Sequence, residues 1–84
     1  MDTDQEELRK RVHELDVTLW VGKGGLESVV SELDEQLANT DLVKVKFLRS
    51  SRNENSIEVN AVELADRVDG TVVETRGHTA VLHR

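Results

Sequence analysis

Eighty-four residues with a formal charge of −6, no cysteine, no proline and two aromatic side chains describe one small domain, residues 1–84, with room for a modest core. No apolar run approaches the roughly 20 residues of a membrane-spanning helix, and the acidic start Met1-Asp2-Thr3-Asp4 is unlike a signal peptide. Without Cys there are no disulfides, thiolate nucleophiles or thiolate zinc sites, so a cytoplasmic protein with no structural metal, cofactor or membrane partner is expected.

Thr3-Asp4-Gln5-Glu6 has the capping-box form, and Leu8, Val12 and Leu15 recur after it at helical spacing. They predict a helix from about Asp4 to Glu14 whose exposed face carries Lys10, flanked by Arg9 and Arg11. Val17, Leu19 and Val21 alternate with Thr18 and Trp20, a period of two that reads as a strand ending at Gly22. Trp20 lies on the opposite face from Leu19 and Val21 and is expected to pack under a helix, with stacking on a base as the alternative. Gly22-Lys23-Gly24-Gly25 marks a sharp loop, after which Leu26, Val29, Val30, Leu33 and Leu37 form one helical stripe. Val43, Val45 and Phe47 alternate with Lys44 and Lys46, predicting a strand that points two ammonium groups one way. A polar loop from Arg49 to Asn55 precedes a third helix marked by Ile57, Ala61, Leu64, Ala65 and Val68, with Gly70 as its C-terminal cap. Thr71 to Thr75 and Thr79 to His83 are β-prone and flank the short turn Arg76-Gly77-His78. The order αβαβαββ implies an α/β (α+β) fold of two layers with a four-stranded mixed sheet.

The net charge argues against a polyanionic partner, but its distribution argues for one. Leu26 to Asp41 holds five acids and no Lys or Arg, whereas Leu42 to Arg52 holds Lys44, Lys46, Arg49 and Arg52 and no acid. The acidic remainder resembles the surface of a protein from a high-salt cytoplasm, where screening blunts repulsion. Catalytic parts are missing. No Ser stands in a nucleophile motif, and His13, His78 and His83 have no ligand spacing, so no enzyme activity and no small-molecule substrate are expected. Gly22 to Gly25 matches neither a Walker loop nor a dinucleotide fingerprint. It is a Gly-x-x-Gly element between a strand and a helix, which suits close approach of a ribose-phosphate backbone to the loop and helix start. The plainer alternative is a tight turn with an incidental Lys23.

Leu8-Arg9, the loop Gly22, Lys23, Gly25 and Leu26, the strand Leu42 to Lys46, and the closing Gly77 to Leu82 together resemble the YhbY-like CRM domain, the chloroplast RNA splicing and ribosome maturation module. His78 and His83 depart from the family's usual Arg and aromatic residues. The resemblance implies a non-catalytic RNA-binding fold similar to the C-terminal domain of the third bacterial initiation factor, and association with precursors of the large ribosomal subunit. On this reading ribosomal precursor RNA is bound by shape and backbone through Gly22, Lys23, Gly24 and Gly25, with Arg9, Lys10, Arg11, Lys44, Lys46, Arg49 and Arg52. An Asp at position 24 is expected to leave the fold intact while repelling phosphate. The alternatives are an Alba-like chromatin protein and a small acidic protein-interaction subunit.

Overall fold

The two stretches of alternating apolar residues become parallel neighbours, β1 (Val17–Val21) and β2 (Leu42–Phe47), joined across one face by α2 (Val30–Asn39). A computed structural model describes residues 2–51 and 55–84, with side chains described for 6–50 and 55–84. Ahead of β1 runs α1 (Asp2–Glu14); after β2 come α3 (Ile57–Arg67), β3 (Thr71–Arg76) and β4 (Thr79–His83). Strand order is β1-β2-β4-β3, with β4 antiparallel to both neighbours, so the sheet is mixed as its sequence order implies. The side chains of the Thr3 to Gln5 part of the capping box lie outside the described residues, as does Arg52.

One sheet face carries the main core. Leu19, Val21, Val43, Val45, Phe47, Ala80 and Leu82 meet Val29, Leu33 and Leu37 from the α2 side and Ala61, Leu64, Ala65 and Val68 from the α3 side. These helices and the sheet form the two expected layers, to which α1 adds a third element. On the opposite face α1 adds partial cover: Val12 is buried against Leu42 and Val81, with Leu15 and Val73 beside it, while Leu8 stays 37% exposed.

Helix α3 starts on Ser56, whose hydroxyl accepts the Val59 N–H at 3.2 Å. Its end corrects the expectation placed on Gly70. The left-handed residue is Asp69, at φ 56°, and the N–H groups of Asp69 and Gly70 reach the carbonyls of Asp66 and Ala65 at 3.4 and 2.8 Å, a Schellman ending. Asp tolerates this conformation better than most residues. Gly70 is favoured for a different reason, since a Cβ there would stand a tight 3.1 Å from the His83 carbonyl oxygen. Strands β3 and β4 are joined by two residues, Gly77 with φ 57° and His78, and positive φ at the first alone is the type II′ pattern.

Candidate functional site

Gly22 to Gly25 closes a four-residue turn, the Gly25 N–H reaching the Gly22 carbonyl at 3.0 Å and Lys23 exposed at its tip. Gly25 sits at φ 74° and ψ −169°, a region essentially reserved for glycine. Its carbonyl then accepts both the Ser28 hydroxyl at 2.7 Å and the Ser28 N–H at 3.3 Å. The loop leads first into a 3-10 turn, Leu26–Val29, and only then into α2. Glu27 stands in that turn and pairs with Arg67 of α3, whose guanidinium the carboxylate holds above its usual pKa through the hydrogen bond.

The loop geometry corrects the expectation for position 24. A Cβ on Gly24 would come within 2.8 Å of the Ser28 Cβ and 2.9 Å of its Oγ, so any side chain there displaces the helix start. At Gly22 the nearest atoms, Leu48 Cδ1 and Ser50 Oγ, lie at an ordinary 3.7 Å, and around Gly25 a Cβ would meet nothing within 4 Å. Open space therefore lies at Gly25, not at Gly24.

Three segments meet at this end of the sheet. The Leu48 N–H donates to the Val21 carbonyl at 2.9 Å and the Phe47 N–H to the His78 carbonyl at 2.7 Å. These bonds set the Gly loop, the 3-10 turn Arg49–Ser51 and the β3–β4 turn side by side. Lys23, Lys46 and Arg49 are all exposed here. Register adds Arg76, which sequence reasoning left out: Trp20 pairs with Lys46, Lys46 with Thr79, and Thr79 with Arg76, a row of four side chains across the outer face.

Trp20 is 51% exposed, against the expectation that it packs under a helix. The helix on that face, α1, places its buried Val12 over Leu42 and Val81, and Val81 belongs to the next row, opposite Lys44. Strand alternation had already put Trp20 on this face; the reach of α1 could not be read from sequence.

The remaining predicted residues separate by partner. Arg11 donates to both carboxylate oxygens of Asp41, at 3.1 and 2.5 Å, and this hydrogen bond holds the Asp41 carboxyl below the usual carboxylate range. Asp41 precedes β2, so Arg11 lies at the opposite end of the sheet from the Gly loop. Lys44 is half-buried, and its ammonium donates to the Leu15 carbonyl at 3.3 Å where α1 ends. Arg9 lines a shallow groove of about 300 Å³ with Leu8, Val12, Val73 and Glu74, and Lys10 is exposed on the same helix. The structure therefore gathers Gly22, Lys23, Gly24, Gly25, Lys46 and Arg49, sets Arg9 and Lys10 farther along the α1 side, and commits Arg11 and Lys44 to protein partners.

Among known families, the CRS1 / YhbY (CRM) domain matches residues 2–84. The chain belongs to this family. A protein of Methanocaldococcus jannaschii named as a probable RNA-binding protein is 40% identical over 78 residues, covering 92% of this chain and 58% of its own length. The chain thus spans little more than half of that relative. A Haemophilus influenzae protein named as RNA-binding is 30% identical over 86 aligned positions, covering all of this chain and 85% of its own. The solution structure of a Staphylococcus aureus protein, itself proposed to bind RNA, superposes with a TM-score of 0.76 at 26% identity, covering all of this chain and 86% of that one. CRM membership decides against the Alba-like alternative.

Proposed function

We propose that this CRM domain is a non-catalytic RNA-binding protein that takes structured RNA, of the kind found in ribosomal precursors of the large subunit, on the Gly-loop end of its outer sheet face. The observation that carries the reading is the sorting of its cations. Arg11, Arg67 and Arg84 are paired with Asp41, Glu27 and Asp34. Among the described cations outside ion pairs, Lys23, Lys46, Arg49 and Arg76 lie together at one end of the sheet, while Arg9 and Lys10 stand on α1 and Lys44 bonds the Leu15 carbonyl. Unpaired cations around an uncovered turn suit a phosphate backbone, whose neutralisation supplies affinity without base readout. The RNA-binding names of the relatives support the same class of ligand. The cytoplasm, where ribosomal subunits are built, is the proposed site of action.

The test is co-sedimentation of the purified protein with large-subunit precursor particles, with and without nuclease, alongside the triple variant Lys23→Gln, Lys46→Gln, Arg49→Gln. We expect association that nuclease abolishes and that the triple variant loses by at least about tenfold, since each phosphate contact removed weakens binding regardless of sequence. Arg11→Gln, at the far end and already paired, is expected to bind as wild type. Association that survives nuclease would favour the acidic protein-interaction alternative instead.

A further inference from the structure

We propose that Trp20 is a stacking platform for an unpaired base, at the β1 edge of a row whose cations, Lys46 and Arg76, lie to one side of it. This rests on the RNA-binding reading above and narrows the ligand to RNA in which an unpaired nucleotide adjoins a helical segment. An exposed apolar side chain by itself is ordinary on a protein surface. Trp20 differs in its surroundings. The chain has only two aromatic residues, and the other, Phe47, is fully buried in the core. Trp20 is left half exposed on a strand whose inward neighbours, Leu19 and Val21, already serve that core.

Its row has a defined chemistry. Lys46 is the direct cross-strand partner of Trp20, and Arg76 stands two strands beyond Lys46 with Thr79 between them. With strands about 4.8 Å apart, the indole and the far guanidinium are separated at their backbones by roughly 14 Å. No acid interrupts the row. Glu74, one row away on the same edge strand, is the nearest carboxylate in register and stands opposite Val81. The Thr79 hydroxyl is already used, donating to the Arg76 carbonyl at 2.8 Å, so it holds the turn and leaves recognition to its neighbours. A flat apolar ring at the edge of a cationic row fits a ligand that is planar at one point and anionic beside it. A nucleotide within a chain has that form, since its base offers a π-face and its phosphates flank it.

Paired bases inside an A-form duplex cannot present their faces to a side chain. Bulges, loops and ends can. The Gly loop and Arg49 lie at the same end of the sheet as Trp20, so a duplex backbone held there would place an adjoining unpaired base within reach of the indole.

Trp20 is the only tryptophan in the chain, so its fluorescence reports this event directly. The full chain is titrated with an RNA hairpin whose stem carries one unpaired adenosine and with the same hairpin abasic at that position. Indole emission is followed in one cuvette and the anisotropy of dye-labelled RNA in another. We expect quenching with the adenosine hairpin and little with the abasic one. Trp20→Ala should weaken the adenosine complex by about tenfold or more and leave the abasic complex unchanged, and Trp20→Phe should restore most of the loss. Because the residue is exposed, circular dichroism of both variants should match wild type. If anisotropy reports equal binding of both hairpins and emission does not move, stacking is overturned while RNA binding stands. If neither hairpin binds at any attainable concentration, the RNA-binding reading falls and this inference falls with it.

Discussion

Each glycine of the loop is glycine for its own reason, and substitution separates the reasons. Gly25 is held in a backbone region closed to other residues, so Gly25→Ala should cost about 1–3 kcal/mol although its Cβ would enter open space. Gly24→Ala drives a Cβ into Ser28 and should also destabilise, through displacement of the 3-10 turn. Gly22→Ala meets only ordinary contacts and should stay within about 0.5 kcal/mol of wild type, with RNA binding unchanged because its Cβ points at Leu48 and Ser50. Urea denaturation of the three variants gives the order; a Gly22 variant as damaged as the Gly25 one would refute this geometry. The Gly-x-x-Gly pattern was legible in the sequence as a turn beside a helix. Which glycine has open space beside it was not, because that depends on where Ser28 and Leu48 come to rest after folding.

At the scale of elements, alternation and helical spacing were enough to find the three α-helices and four strands among the described residues, since each one's apolar period is written within its own residues, whereas the 3-10 turns Leu26–Val29 and Arg49–Ser51 were read as helix and as loop. The partners of individual cations were not legible. Arg11 and Asp41 are 30 positions apart, Arg67 and Glu27 are 40, and Arg84 and Asp34 are 50, so no local pattern links them. The same distinction separates Lys44 from Lys46, which sequence alternation treats as equivalent. Lys44 caps the end of α1 through the Leu15 carbonyl, where a cation also meets the negative end of the helix dipole. Lys44→Glu removes that hydrogen bond and reverses the charge, and should cost on the order of 1–2 kcal/mol. Lys46→Glu should stay within about 0.5 kcal/mol while weakening RNA binding. Paired thermal melts and RNA titrations of the two variants check this, and equal melting temperatures would remove Lys44 from the support of α1.

Across the whole molecule the layer of α2 and α3 is acidic, and one end of the other sheet face is cationic. Within Leu26 to Asn39 and Ile57 to Arg67, the stretches that build the helical layer, seven carboxylates stand against one arginine. On the opposite face Lys46 and Arg76, with Lys23 and Arg49, gather at the Gly-loop end, while the described acids of α1 and Glu74 lie farther along it. A chain with net charge −6 can therefore present a cationic surface, and its acids point a polyanion toward one face instead of excluding it. Salt should act on the two layers in opposite directions. Glu32, Glu35, Glu58, Glu63 and Asp66 make no ion pair among the described residues, so lowering salt exposes their mutual repulsion and should lower the melting temperature. RNA affinity should rise over the same range. Four cations contacting phosphate imply a slope of about −3 to −4 in a plot of log affinity against log salt. Melting curves and RNA titrations in matched potassium chloride series test both limbs on one preparation. A melting temperature that is flat or higher at low salt would remove the high-salt habitat suggested by composition and leave RNA binding intact. An affinity that ignores salt would instead detach the four cations from phosphate, because counterion release accompanies phosphate neutralisation whatever the RNA sequence.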